Sequence, residues 1–283
     1  NMGKARLSIP AKILIYVILI FFSLLAIFPP FVLLSRSFFS LDEITSMGAG
    51  LFAKNFTFEA YKLAVTDNGF LTGLRNTLIT CVCAVVGIPL TAFMSAYAFS
   101  KVKFFGSKFW FTLGLCTIMI PNILLLLPVY SIFVDLGWTN TLLPLTVPSF
   151  FGGGIMNIFL IIQFIRGIPK EMYEAADLDG ASTLRKMFQL TLPLIKPVIF
   201  YVAVTALIGS WNDIMRPLMY NDLPECYTIN QYIYVQYLGQ SAAVDALPNV
   251  QMALGVILMI PMIIVFIFFQ KQLIEGIQLT GNK

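Results

Sequence analysis

The sequence predicts an all-α polytopic membrane protein, and three observations predict it. Hydrophobic residues make up 58% of the 283 positions while only 11% are charged, against roughly 25% charged in a soluble domain. Six uncharged or nearly uncharged stretches recur, most of them close to the roughly 20 residues a helix needs to cross a bilayer. One charged, small-residue island, Glu174 to Pro193, interrupts them.

The six predicted transmembrane helices lie near 13–35, 76–99, 109–134, 142–165, 194–212 and 254–270. The first follows a basic start, but its apolar run is too long for a signal core and no small-residue cleavage site follows it, so a retained helix is expected. The fifth is short because Lys196 and Asp213 bound it; a lysine there extends its ammonium to the headgroups, and the span is kept. With the N-terminus inside, the cytoplasmic face takes most of the 18 lysines and arginines. Only Arg36, Lys54, Lys62, Arg75 and Arg216 are left outside, which satisfies the preference of basic residues for the cytoplasm. This sets a cytoplasmic N-terminus (1–12), a six-helix membrane body (13–270) with outer loops 36–75 and 213–253, a cytoplasmic loop 166–196 and a cytoplasmic tail (271–283). The net charge of +4 comes from basic residues scattered at span ends, not from a stripe suited to nucleic acid.

Helix breakers punctuate the spans: Pro29 and Pro30, Pro89, Pro121 and Pro128, Pro144, Pro148 and Gly152 to Gly154. Broken helices survive in a membrane where protein or water satisfies the freed backbone groups. Transporters use such breaks to line a path, although membrane helices in general are rich in Gly and Pro. Asn122, Asn157 and Gln163 are neutral polar groups at membrane depth, suited either to a hydroxylated solute or to a neighbouring helix. Trp211, Asn212 and Asp213, with Arg216, end the fifth span as a gating or partner contact or as a helix anchor. In the first outer loop Phe52, Phe56, Phe58 and Tyr61 predict a small folded cap. In the second, Tyr220, Tyr227, Tyr232, Tyr234 and Tyr237 suit either sugar stacking or an interfacial belt. Cys81, Cys83 and Cys116 fall in spans and Cys226 outside, so they read as small hydrophobes rather than a disulfide set. There is no histidine, so neither a metal site nor His-based catalysis is expected.

The island reads as two short helices joined at a glycine. Pro169 suits a helix start, Glu171 and Glu174 complement the helix dipole, Gly180 suits a left-handed stop, and Ser182 suits the cap of a second helix. That second helix places Leu184, Met187, Phe188 and Thr191 on one side and Arg185 and Lys186 on an exposed face. The first presents Met172, Ala175, Ala176 and Asp179, small enough for another surface to approach its backbone. A helix this short does not stabilise itself and needs packing against something else. A membrane-surface loop packed on its own helices is the alternative.

Glu174, Ala175, Ala176, Gly180, Leu190, Leu192 and Pro193 follow the pattern Glu-Ala-Ala, three residues, Gly, nine residues, aliphatic, any residue, Leu-Pro. With this pattern the chain resembles ABC importer permeases. Ile-Pro-Lys-Glu before it, Asp-Gly-Ala-Ser within it, Trp211-Asn212-Asp213, and Phe269-Gln270-Lys271 with Gly276 extend the resemblance to carbohydrate-uptake permeases similar to the smaller, MalG-like subunit of the maltose transporter. The resemblance implies a type I importer permease fold of six spans in a bacterial or archaeal cytoplasmic membrane. It implies a coupling element at Glu174, Ala175, Ala176, Asp179, Gly180 and Ala181 that docks on separate ATPase subunits, and a tail contact through Gly276, Gln278, Thr280 and Gly281. This tail departs from the usual Gly-Leu-Thr-Ala-Gly. It further implies a homologous second permease, two ATPase subunits, an external solute-binding protein and a carbohydrate substrate. No cofactor is expected on this chain, ATP and Mg2+ being held by the partners. The chain is not an enzyme on this reading, since its Gly3-Lys4 pair has no glycine at the spacing of a phosphate loop. A permease for another solute remains an alternative. An ion-coupled transporter or channel is a second, disfavoured because no acid lies well inside a span.

Overall fold

The computed structural model describes residues 8–46, 50–239 and 247–281, with 271–281 as backbone only. Among these residues every regular element is helical: α1 Ile9–Arg36, α2 Leu41–Thr45, α3 Glu59–Thr66, α4 Asn68–Lys101, α5 Ser107–Cys116, α6 Asn122–Asp135, α7 Leu143–Thr146, α8 Ile155–Arg166, α9 Lys170–Leu178, α10 Thr183–Arg185, α11 Leu192–Leu194, α12 Lys196–Trp211, α13 Met215–Tyr220, α14 Ile229–Ile233 and α15 Pro248–Gly281. Four candidate spans are long and apolar enough to cross a membrane: α1, α4, Leu143–Arg166 and Pro248–Gln270. Two bent pairs add one each if each pair is a single span.

Both bends have a backbone cause. Between Ser107–Met119 and Asn122–Asp135 the axis turns by 108°. Ile120 is extended (φ −86°, ψ 116°), the conformation that the following Pro121 imposes on its predecessor. The stretch 109–134, expected as one helix, is therefore two. Between Thr183–Leu194 and Lys196–Trp211 the turn is 80°, at Ile195, where Pro193 and Pro197 flank the break. In Leu143–Arg166, the left-handed Gly152, Gly153 and Gly154 separate a short 3-10 turn, Val147–Phe151, from α8.

The described residues fall into two compact units, Asn1–Asp67 with Gln236–Pro261 and Asn68–Val235 with Met262–Lys283. In the first, α1 buries no residue and exposes Ile13 to Phe28 all round, as a helix solvated by hydrocarbon does. The loop beyond it is ordered around an aromatic cluster: Phe38 stacks on Phe56 at 4.2 Å and meets Phe58 and Tyr61. Phe52 is not part of it and packs on Phe31 instead. Asn249 of α15 is buried and donates to the Phe39 carbonyl.

In the second unit α4 is the mast. Its 34 residues extend about 50 Å, well beyond a bilayer core. Ala92, Phe93, Ala96 and Tyr97 of α4 pack with Ile161, Ile162 and Ile165 of α8 and with Val198 and Val202 of α12, each set spaced to share one helix face. At its other end α4 holds the loop after α13. Asn76 Nδ2 donates to the Glu225 and Tyr227 carbonyls at 2.8 and 2.9 Å, and Thr77 Oγ1 accepts the Ile229 amide at 2.9 Å. Tyr220, packed with Phe133 and Leu145, and Tyr232 are both buried, so they are core residues rather than open platforms for a sugar ring.

Candidate functional site

Two places in the second unit carry chemistry that the fold does not need for itself. The first is the loop from α9 to α11. Pro169, extended at ψ 140°, starts α9, and Glu171 lies in its first turn. The helix ends in a Schellman motif: the Gly180 amide donates to the Asp177 carbonyl at 3.1 Å and the Ala181 amide to the Ala176 carbonyl at 2.9 Å. That pairing requires a left-handed residue, and Gly180 supplies it at φ 68°. Ser182 then caps α10, its Oγ accepting the Arg185 amide at 3.3 Å.

The expected coupling residues are thus brought together. Glu174, Ala175 and Asp179 are exposed, Ala176 and Ala181 are half-buried and tied to each other, and no residue of α9 is buried. Leu178, at the tip between two acids, is 91% exposed, and Leu184 is 65% exposed. Both are apolar groups presented outward on an otherwise charged loop. Sequence reasoning missed Leu178; the signal was an apolar residue set between Asp177 and Asp179.

The second helix differs from expectation. After α10 the chain widens into a π-helical turn, Lys186–Thr191, which rotates the face: Met187 and Thr191 are buried while Leu184 and Phe188 stay exposed. Arg185 is exposed as expected, but Lys186 folds back into an ion pair with Asp177.

The second place is a cavity of about 520 Å³ between α4, the Pro144–Gly154 segment, α8 and α12. Its size falls in the range of small-molecule sites. Ala84 and Ile88 form one wall, Thr205, Gly209 and Ser210 another, and Ser149, Gly153, Gly154 and Asn157 a third, with Arg216 at its margin. The polar groups here have mostly spent their protons. Asn157 Nδ2 donates to the Gly152 and Gly153 carbonyls, Thr205 Oγ1 to Tyr201 and Val202, and Ser210 Oγ to Thr80. Their oxygen lone pairs remain for a donor. Arg216 supplies N–H groups but is matched by Asp213, 2.5 Å away, so the lining is close to neutral.

Of the residues expected along a substrate path, Asn157 alone lines this cavity. Asn122 is exposed at the bend before α6. Trp211 is buried and accepts the Asn230 side chain on its carbonyl, Asn212 caps the Ile208 carbonyl, and Asp213 reaches the cavity only through Arg216. Ser149, Thr205 and Ser210 gave no sequence signal, being common hydroxyls in apolar helices. Arg216 is expected outside the membrane from charge, and it reaches the cavity margin from α13, which packs on α7. Of the expected tail contacts, Gly276, Gln278, Thr280 and Gly281 continue α15 as backbone, and their side chains lie outside the described residues.

Near that margin, burial pushes the Tyr220 phenol up; Arg216 opposes the shift and Asp213 adds to it. Burial likewise raises the Cys226 thiol, helped by Glu225, and the thiol donates to the Asn140 carbonyl at 3.0 Å. Asn140 is a hub. In a left-handed conformation (φ 58°), it accepts the Asp222 amide on Oδ1 and donates its own to the Tyr220 carbonyl.

The arabinooligosaccharides transport system permease protein AraQ of Halalkalibacterium halodurans is 28% identical, covering 93% of each chain. The sn-glycerol-3-phosphate transport system permease protein UgpE of Brucella abortus is 30% identical over 72% of this chain and 71% of that one. The crystal structure of a bacterial ABC transporter for import of the acidic polysaccharide alginate contains a chain of the same fold, with a TM-score of 0.83 and 24% identity, over 96% of this chain and 99% of that one. Residues 87–278, which include the loop and all of the cavity lining except Ala84, match the family of binding-protein-dependent transport system inner membrane components, and the chain belongs to that family.

Proposed function

We propose that this chain is one permease half of an ATP-driven importer for a neutral sugar or oligosaccharide, and that its α9–α11 loop takes up the work of separate ATPase subunits. The observation that carries the reading is α9 itself: a helix with no buried residue, ending in a rigid Schellman turn that presents Leu178 to solvent. A helix of nine residues has no stability of its own, and an apolar tip is not retained for solubility. On this reading each bent pair counts as one span, giving six, and the loop and both termini are cytoplasmic. A second, homologous permease completes the path, ATP and Mg2+ are held by the ATPase partners, and the Gly276–Gly281 tail contacts them. The solute arrives from an external binding protein, in keeping with the family.

The substrate class rests on the cavity together with the oligosaccharide relatives. A lining of oxygen acceptors with a charge-matched arginine suits hydroxyl donors on an uncharged ring. Arg216 also supports a second reading, a phosphorylated or acidic solute, if Asp213 releases it. The deciding experiment is uptake by proteoliposomes holding the full transporter and its binding protein. Neutral arabino- or galacto-oligosaccharides are expected to drive ATP-dependent accumulation, and glycerol phosphate and acidic oligosaccharides are not. Accumulation of only the charged solutes would refute the neutral assignment.

A further inference from the structure

Beside the packing of Met187 and Phe188 against the core, one side chain of α9 itself ties the coupling loop to the rest of the second unit. Tyr173 projects from the face of α9 opposite to solvent, half-buried. Lys101, the last residue of α4, holds its ammonium 3.7 Å from the centre of the Tyr173 ring, a cation–π contact. The Tyr173 hydroxyl lies 2.8 Å from Thr191 Oγ1, which is wholly buried. Thr191 has one hydroxyl proton and gives it to the Lys186 carbonyl at 3.0 Å, across the π-helical turn. Tyr173 must therefore be the donor to Thr191. Lys186 in turn reaches back to Asp177 on α9. Burial raises the Tyr173 phenol above its ordinary range, with the Thr191 hydrogen bond pulling the other way, so the hydroxyl keeps its proton at neutral pH.

The two attachments lead to two different walls of the cavity. From Lys101, α4 runs about 20 Å back to Ile88. From Thr191 the chain passes through α11 and the 80° bend into α12, which carries Thr205, Gly209 and Ser210. Resting on the coupling role proposed above, we infer that Tyr173 is a positioning residue: it locks the docking helix to α4 through Lys101 and to the α10–α12 run through Thr191, so that a push on α9 moves both cavity walls together. The ring serves one wall and the hydroxyl the other. Neither bond is needed to close α9, which its own Schellman motif already ends.

The test uses the full transporter in lipid nanodiscs, with ATP hydrolysis measured with and without loaded binding protein, and uptake per ATP measured in proteoliposomes. Tyr173→Phe removes the hydroxyl bond, and Thr191→Val removes it together with the bond to the Lys186 carbonyl, both keeping bulk. Tyr173→Phe is expected to lower the binding-protein stimulation of ATPase activity by about fivefold, the effect of one neutral hydrogen bond, and Thr191→Val by at least as much, with subunit stoichiometry and basal hydrolysis unchanged. The double variant is expected to be no worse than Thr191→Val alone. Lys101→Met is expected to lower uptake per ATP and Lys101→Arg to restore it, a rescue that loss of general stability would not show. Gly180→Pro, which breaks the docking turn, serves as the control. If it uncouples the transporter while Tyr173→Phe and Thr191→Val keep full stimulation, the inference is overturned and the coupling role stands. If Gly180→Pro itself leaves transport normal, the coupling role falls and the inference with it.

Discussion

Gly87 offers a direct test of how α4 meets the broken fourth span. It is buried, and a Cβ there would stand 2.9 Å from the Ser149 carbonyl oxygen and 3.0 Å from its carbon, with the Phe150 ring at 3.1 Å. Two of those three atoms are backbone, so relief requires moving the Val147–Phe151 turn rather than rotating a side chain. The turn is not free to move, because Thr91 Oγ1 donates to the Gly87 carbonyl at 2.6 Å and accepts the Gly152 amide at 2.9 Å. Overpacking of this kind costs about 1–3 kcal/mol. Replacing a helical glycine by alanine returns about 1 kcal/mol through backbone entropy. Gly87→Ala is therefore expected to be destabilising by about 1 kcal/mol net.

Gly209→Ala isolates the second term. Gly209 sits in α12 on the same cavity, and a Cβ there meets nothing within 4 Å. It should gain stability where Gly87→Ala loses it, a difference of about 2 kcal/mol between two chemically identical changes. At roughly 2–4 °C per kcal/mol, that separates their melting temperatures by several degrees. Thermal unfolding of the purified permease complex, followed by tryptophan fluorescence, measures it. If Gly87→Ala melts at or above Gly209→Ala, the close approach of α4 to Ser149 is refuted.

Three further outcomes are expected. Gly180→Ala meets no atom within 4 Å and so suffers only the left-handed backbone penalty of about 1–2 kcal/mol, confined to the loop; coupling of hydrolysis to uptake should fall while the melting temperature holds, and a large melting shift would contradict this. Thr205→Val leaves the Tyr201 and Val202 carbonyls in their helix but removes a lone-pair oxygen from the cavity, so the apparent affinity for sugar should weaken about fivefold at unchanged stability. Unaltered uptake at limiting sugar would remove Thr205 from the site. The Cys226 thiol, raised by burial and then by Glu225, should react slowly with maleimide at pH 7 and faster only as the pH passes 9; because its folded-state value is raised, its stabilising contribution holds below that pH and is lost above it. Labelling at pH 7 at the rate of a free thiol would contradict the burial of this thiol.

What was legible in the sequence follows from how local each cause is. Gly180 and Ser182 could be assigned because a left-handed stop and a side-chain cap are settled by residues within one turn. Pro121 warned of a break, but the 108° turn depends on where α5 and α6 pack, which no local rule contains. The π-helical turn after α10 was illegible for a related reason: it adds a residue to the turn without any change in residue type, and it moves Leu184 out and Thr191 in. Asn140 shows the same limit most plainly. Its left-handed backbone and its bonds to Tyr220, Asp222 and Cys226 join parts of the chain some 80 positions apart, and a lone asparagine between two threonines gives no sign of them.

The docking loop and the cavity differ in this respect for a physical reason. A loop that must fit another protein's surface has to be shaped by its own short-range bonds, so its signature is written in consecutive residues from Glu174 to Ser182. A cavity is what remains where helices fail to touch, and its lining of Ser149, Asn157, Thr205 and Ser210 is assembled from three separate segments. The hydroxyls carry meaning only once their protons are traced to Tyr201, Val202 and Thr80 and their lone pairs are left over. Tyr173 stands between the two cases. It lies inside the motif, next to Glu174, yet its ring and hydroxyl answer to Lys101 and Thr191, residues that the folded chain alone brings to it.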